Sequence, residues 1–285
     1  MKKNHGLLFA IALVMTALAC AIPGLPTGSV APPTPDTRLE QMVAETVSAA
    51  LQLTQPADSF AAEAFTPTPV PTVTKTPIPA TEIGTTEETL LDKTADGSTT
   101  FIDLPAKYQV NIPTEWLPLR INGQEFLNAG LLPEAANPAI QRSLAAISGQ
   151  DPNVFRLFML DVNEEHIDGG FVTNINLVWD QQMEAVFVTD TDIQAIANVL
   201  PNSLKDSQVL GAEVKTSKNE LPYGVITVQT PALTQEGARI VILQKLAYFD
   251  LPAGTLSITL STTEKWQTTV EPSFEGILDS LIILE

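Results

Sequence analysis

Gly254-Thr255-Leu256-Ser257-Ile258-Thr259-Leu260-Ser261-Thr262-Thr263 is the stretch that decides the architecture. Leu256, Ile258 and Leu260 alternate with Thr255, Ser257, Thr259 and Ser261, a period of two that a strand turns into one apolar and one polar face. The alternation predicts a strand near 255–262 with one face buried and the other wet or lightly covered. Just beyond it, Val270, Phe274, Ile277, Leu278 and Leu281 recur at helical spacing. They predict a closing helix with Pro272 in its first turn.

Upstream, apolar runs predict three further strands near 207–215, 222–230 and 239–249. Turn-length connections make the sheet antiparallel, because parallel neighbours need long crossovers. Thr191-Asp192-Ile193-Gln194 opens a helix that turns Ile193, Ile196, Ala197 and Leu200 inward and stops near Pro201. Phe171–Trp179 and Val154–Leu160 read as strands. Asn137-Pro138 reads as an N-cap followed by the first helical position; Ile140, Leu144 and Ile147 form its stripe, and Ser148-Gly149 ends it. Phe101-Ile102-Asp103 and Tyr108–Ile112 flank a turn at Pro105, and Pro113-Thr114-Glu115-Trp116 is a tight bend. The expected class is α+β, an antiparallel sheet flanked by helices, in one domain over 98–285.

The remainder of the 285 residues has another character. After Met1-Lys2-Lys3, an uncharged segment from Gly6 to Ala19 is too short for a membrane span and fits a signal-peptide core. The only cysteine, Cys20, follows Ala17-Leu18-Ala19. This resembles a bacterial lipobox, in which the cysteine is diacylated, for instance with palmitate, and becomes the mature N-terminus. Ala17 departs from the usual Leu and Leu18 is bulky, whereas Ala19 is as small as the peptidase requires. The reading divides the chain into a lipoprotein signal over 1–19 and a stalk over 20–97. The alternative is an ordinary cleaved signal or an uncleaved anchor.

Eleven of the 22 prolines lie between Pro23 and Pro79, while 14 of the 17 aromatic residues lie after residue 100. A segment without large apolar groups cannot bury enough surface to offset its ordering entropy. The run from Thr66 to Pro79 favours extended polyproline II and O-glycan acceptance. One island, Thr37-Arg38-Leu39-Glu40 with Leu39, Met42, Val43, Val47, Ala50 and Leu51, predicts a short amphipathic helix near 38–53.

In the C-terminal part, Tyr108-Gln109-Val110-Asn111-Ile112-Pro113 with Trp116 is similar to the opening of PsbP-like domains. Gly170–Leu177 resembles their central strand. Gly254–Thr263 followed by Glu271–Leu281 resembles their closing strand and helix. The ordered set spans about 105–285 and implies an α/β/α sandwich. Relatives of that family include an extrinsic photosystem II subunit, a Ran-binding import factor and many bacterial lipoproteins, most of which bind or brace other proteins. Fold does not transmit function, and the matching positions read as core and turn, so the resemblance assigns no functional residue.

Composition narrows the chemistry. Fifteen basic against 33 acidic residues give a net charge of −18, which argues against nucleic acid as a partner. No Gly-x-Ser-x-Gly, His-Glu-x-x-His or glycine-rich phosphate loop is present, so no catalytic residue, metal ligand or cofactor is assigned. His166, in Asp161-Val162-Asn163-Glu164-Glu165-His166-Ile167-Asp168, stands where a calcium loop needs its sharp-turn Gly, and Val172 where it needs the closing Glu. That stretch reads as a solvated acidic hairpin. Asn174 and Asn176 share the strand face opposite Phe171 and Ile175; they are candidate binding residues or satisfy nearby backbone. Trp116 and Trp179 read as packing, and Trp266, beside Lys265 in a polar turn, as the exposed binding anchor.

The expectation is a lipid-anchored protein on the extracytoplasmic face of a bacterial membrane. It holds a non-catalytic binding domain toward an envelope protein or extracellular ligand. The alternatives are an envelope hydrolase with an unrecognised carboxylate site and a self-associating structural component.

Overall fold

The computed structural model describes residues 88–121, 123–181, 188–203, 206–234 and 237–285. The signal segment, Cys20, the stalk and the 38–53 helix lie outside the described residues.

Among the described residues, eleven strands form two antiparallel sheets. The small one has the order β1 (Thr89–Lys93), β2 (Thr99–Asp103), β3 (Tyr108–Ile112), β11 (Ile282–Ile283). The large one has the order β4 (Trp116–Leu119), β5 (Phe155–Asp161), β6 (Asn174–Asp180), β10 (Gly254–Thr263), β9 (Arg239–Leu251), β8 (Pro222–Leu233), β7 (Gln208–Thr216). Four α-helices among the described residues accompany them: α1 (Gln124–Ala129), α2 (Pro138–Ile147), α3 (Asp190–Ser203) and α4 (Gln267–Asp279). The α+β class and the antiparallel pairing follow the sequence reading. The division into two sheets, and the strands β1, β4 and β11, add to it; β1 lies before residue 98, where the reading begins the domain.

The main core lies between the sheets. Leu256, Ile258 and Leu260 of β10 and Ile175 and Leu177 of β6 face Phe101, Tyr108 and Val110 of the small sheet. α4 fills the same layer with Val270, Phe274, Ile277 and Leu278. Each such side chain contributes roughly 1.5–3 kcal/mol when fully buried. On the opposite face of the large sheet, α2 covers the β5 end through Ile147, against Phe155, Phe158 and Leu160. There α3 covers β8 and β9, setting Ile193, Ile196 and Leu200 against Ile226, Val228 and Tyr248.

Four expectations are corrected. β10 is buried on both faces, so its Thr/Ser face is not wet; β10 lies inside the sheet, between β6 and β9. Small hydroxyl side chains can be buried there because they have little volume; Ser261 accepts from Gln244 at 3.2 Å, while the Thr255 and Thr263 hydroxyls are buried without a partner. The strand expected from Phe171 begins at Asn174, because Phe171 is held in a turn in which it and Asp168 exchange backbone hydrogen bonds of 2.9 and 3.2 Å. Pro272 lies within α4 rather than in its first turn. The helix starts at Gln267, and both Pro272 and Thr268 are exposed, so water can satisfy the Thr268 carbonyl that Pro272 leaves without a donor. Pro201 does not stop α3, which runs through Ser203; a proline near the last turn removes only one of the helix's hydrogen bonds. The N-cap expectation is met, with Asn137 Oδ1 accepting from Ala139 N–H at 2.9 Å.

Candidate functional site

The opening of the chain's folded part builds a groove. Pro113 sets a tight turn in which Trp116 N–H donates to the Pro113 carbonyl at 3.2 Å. The turn delivers Trp116 inward, 4% exposed, and starts β4. Across from β4 runs β1, and α1 closes one end. Between them lies a groove of about 540 Å³. Its walls include Leu91 and Lys93 from β1, Trp116 and Leu117 from β4, and Leu132 and Val162 from the adjoining loops. The Trp116 indole N–H is buried without a partner.

Arg120 and Glu125 brace the groove. Arg120 Nε meets Glu125 Oε1 at 2.6 Å and Nη2 meets Oε2 at 3.1 Å, a two-point fork. The Arg120 backbone N–H also reaches Oε1 at 3.1 Å, and Nη1 donates to the Thr89 carbonyl of β1. Burial opposes the charge on Glu125, but hydrogen bonds from Arg120 and from backbone N–H groups outweigh it, and the carboxyl pKa falls below its ordinary value.

Beside the groove, the acidic stretch and Trp266 come together. The His166 and Trp266 rings lie 4.5 Å apart, tilted by 43°. His166 Nδ1 is 2.6 Å from Asp161 Oδ2, and Asn163 Nδ2 is 3.3 Å from Nε2. Lys265 Nζ stands 4.7 Å over the Trp266 ring. Trp266 is therefore not the fully exposed anchor expected from the sequence: its ring packs on His166, the residue is only partly exposed and its indole nitrogen is buried. Val162, between Asp161 and Asn163, belongs to the groove wall and joins the two places.

Asn174 and Asn176 lie elsewhere, on the outer face of β6, each 3% exposed. Asn174 Nδ2 donates to the Val172 carbonyl at 3.1 Å, the backbone satisfaction weighed in the sequence reading. Asn176 Oδ1 is buried without a partner. Cys20 lies outside the described residues. Among the described residues, no group of three or more His, Cys, Asp or Glu side chains converges to hold a metal ion. Among them, too, no helix is long and apolar enough to cross a membrane.

The structure brings Trp266 to His166 and leaves the asparagines apart. Sequence reasoning missed Leu91, Lys93, Arg120 and Glu125. The available signal was the Arg120/Glu125 pair, which is silent until β1 is placed opposite it.

No family model matches the chain, and no curated protein matches it in sequence. Several solved structures do align with it. The cyanobacterial PsbP structure from Synechocystis sp. PCC 6803 aligns at 14% identity over 65% of this chain and 92% of that one, with a TM-score of 0.40. The Ran-binding protein Mog1p of Saccharomyces cerevisiae aligns at 11% identity over 69% and 96%, with a TM-score of 0.37. LpqN of Mycobacterium tuberculosis, involved in cell envelope biogenesis, aligns at 9% identity over 69% and 91%, with a TM-score of 0.35. A PsbP domain is thus among the folds this chain is similar to, and the likeness is one of fold alone.

Proposed function

We propose that this protein is a non-catalytic binding protein of the bacterial envelope, tethered by lipid on Cys20 and presenting the β1/β4 groove to an envelope protein or extracellular ligand. The signal over 1–19 directs export, and the stalk, which runs from Cys20 and ends before β1 rather than at residue 97, holds the folded part away from the membrane. Trp266 and Lys265 extend the contact surface past Val162. The observation that carries this reading is the groove itself. Its 540 Å³ falls within the range of about 300–1,000 Å³ typical of ligand sites. It combines apolar walls with a braced ion pair and a buried indole N–H that has no partner.

Two measurements test it. Cys20→Ser is expected to abolish metabolic palmitate incorporation and to move the protein from the membrane to the soluble fraction; unchanged partitioning refutes the tether. A photo-crosslinking residue at Leu117 or Leu132 in intact cells is expected to capture a defined species that the same residue at exposed Leu210 does not. Equal capture from both positions refutes the groove as the binding site.

A further inference from the structure

The groove runs along the free edge of β1, and the strand's register shows which backbone groups are unused. Leu104 N–H donates to the Glu88 carbonyl and Thr94 N–H to the Ser98 carbonyl, each at 3.0 Å. In an antiparallel pair the bonded positions alternate, so residues 88, 90, 92 and 94 face β2. The N–H and C=O groups of Thr89, Leu91 and Lys93 therefore point away from it. Arg120 confirms the parity, because it reaches the Thr89 carbonyl from that outer side. On the same side, the backbone groups of Leu91 and Lys93 have no partner among the described residues.

The opposite wall offers no such template. β4 is also an edge strand, but its Trp116 N–H is taken by Pro113 and its Pro118 has no N–H. Side-chain direction completes the geometry. Lys93 is paired with Thr99 in register, and both line the groove, as does Leu91. Cross-strand neighbours share a face of the pleat. A strand added beside β1 would put every second side chain on that face, over the groove.

We propose that the groove is a strand-addition site for an extended segment of a partner polypeptide, which pairs with Leu91 and Lys93. This rests on the reading of the groove as the binding site and names its ligand class. The unused groups are peptide N–H and C=O groups at strand spacing, which another peptide matches and a sugar or a flat cofactor does not. The inward side chains are defined by what waits for them. Leu117, Leu132 and Val162 receive an apolar group, and the Trp116 indole N–H receives an acceptor. Lys93 has no ion-pair partner among the described residues and receives a carboxylate. Main-chain bonds then supply affinity, and the alternate side chains supply choice of partner.

The test uses the full-length protein in detergent, panned against displayed random octapeptides. Retained octapeptides are synthesised and N-methylated one residue at a time, with affinity read by calorimetry. Strand addition predicts an alternating profile: methylation weakens binding by about tenfold at residues whose N–H faces β1 and leaves the intervening residues near the parent affinity. Leu91→Pro removes one outward N–H while keeping the bonds to β2, and is expected to weaken binding by a similar factor. The methylation profile needs no protein variant, so a folding defect in Leu91→Pro does not blur the result. A flat profile, or no retained octapeptide, overturns strand addition. If that happens while crosslinks from Leu117 still capture a defined species, the groove remains the binding site and only the ligand class is wrong.

Discussion

Two arginine forks hold the β1–β2 hairpin to the large sheet, and they differ in what surrounds them. Arg156 of β5 grips Asp103 of β2, with Nε–Oδ2 at 2.6 Å and Nη2–Oδ1 at 3.0 Å. Their side chains are 7% and 0% exposed, and Asp103 Oδ1 also accepts from Ala106 N–H at 3.1 Å. Arg120, just after β4, grips Glu125 and the Thr89 carbonyl, with side chains 17% and 22% exposed. Thr89 and Asp103 are register partners, so both forks act on the same end of one hairpin. The sealed fork is a matter of structure, since charges removed from water must be fully paired. The open fork borders the groove and positions β1 at little energetic consequence.

The sharpest way to break that contrast is at Asp103. Asp103→Ala leaves the Arg156 guanidinium buried and unpaired, and is expected to lower stability by about 3–5 kcal/mol in urea unfolding. Combining Asp103→Leu with Arg156→Met removes both charges and is expected to recover most of the loss. A double variant as unstable as Asp103→Ala would mean that the pair's net attraction, rather than the cost of an orphaned charge, holds the hairpin down.

Burial also shows in the tyrosines, on both faces of the large sheet. Burial, and then the nearby Asp103 carboxylate, raises the Tyr108 phenol well above its ordinary value. Burial raises Tyr248, and burial followed by the charges of Glu275 and Asp279 lifts Tyr223 to about 12. These are all three tyrosines of the chain. A folded pKa above the unfolded one gives stability that is complete below the unfolded pKa, near 10, and is lost as pH rises past it. Phenolate absorbance is therefore expected to stay low in the native protein at about pH 10.5, where the urea-unfolded chain is largely ionised. Native absorbance that tracks the unfolded chain would mean that these phenols are open to solvent.

Much of this arrangement was legible in the sequence, for physical reasons. The β10 alternation, the Asn137-Pro138 start and the α4 stripe are local patterns, and local patterns survive folding. Pairing between distant segments was not legible. The hydroxyl face of β10 reads as wet, and its burial depends on packing between distant segments that no local alternation carries. Nothing in Thr89–Lys93 announces a strand until Thr99–Asp103 pairs with it. The groove needs β1, β4, α1 and Val162 together, so no window of sequence contains it. Trp266 and His166 were each singled out, but their contact spans 100 positions that only the fold closes.

The open fork should give the smallest effect and the one that most refines the contrast. Glu125→Gln keeps the shape of the side chain and removes its charge. Because the pair is partly exposed and screened, the expected loss at pH 7 is below about 1 kcal/mol. Its pH dependence has a definite sign. The folded pKa of Glu125 lies below its ordinary value of 4.5, so the stability it supplies is present above that value and fades as pH falls through the folded pKa. Urea midpoints of the two proteins are therefore expected to differ at pH 7 and to draw together in acid. A gap that persists undiminished into acid would assign the loss to altered packing of α1 rather than to charge. A loss as large as that of Asp103→Ala would make both forks structural and remove the reason for treating the groove as a place braced for a ligand.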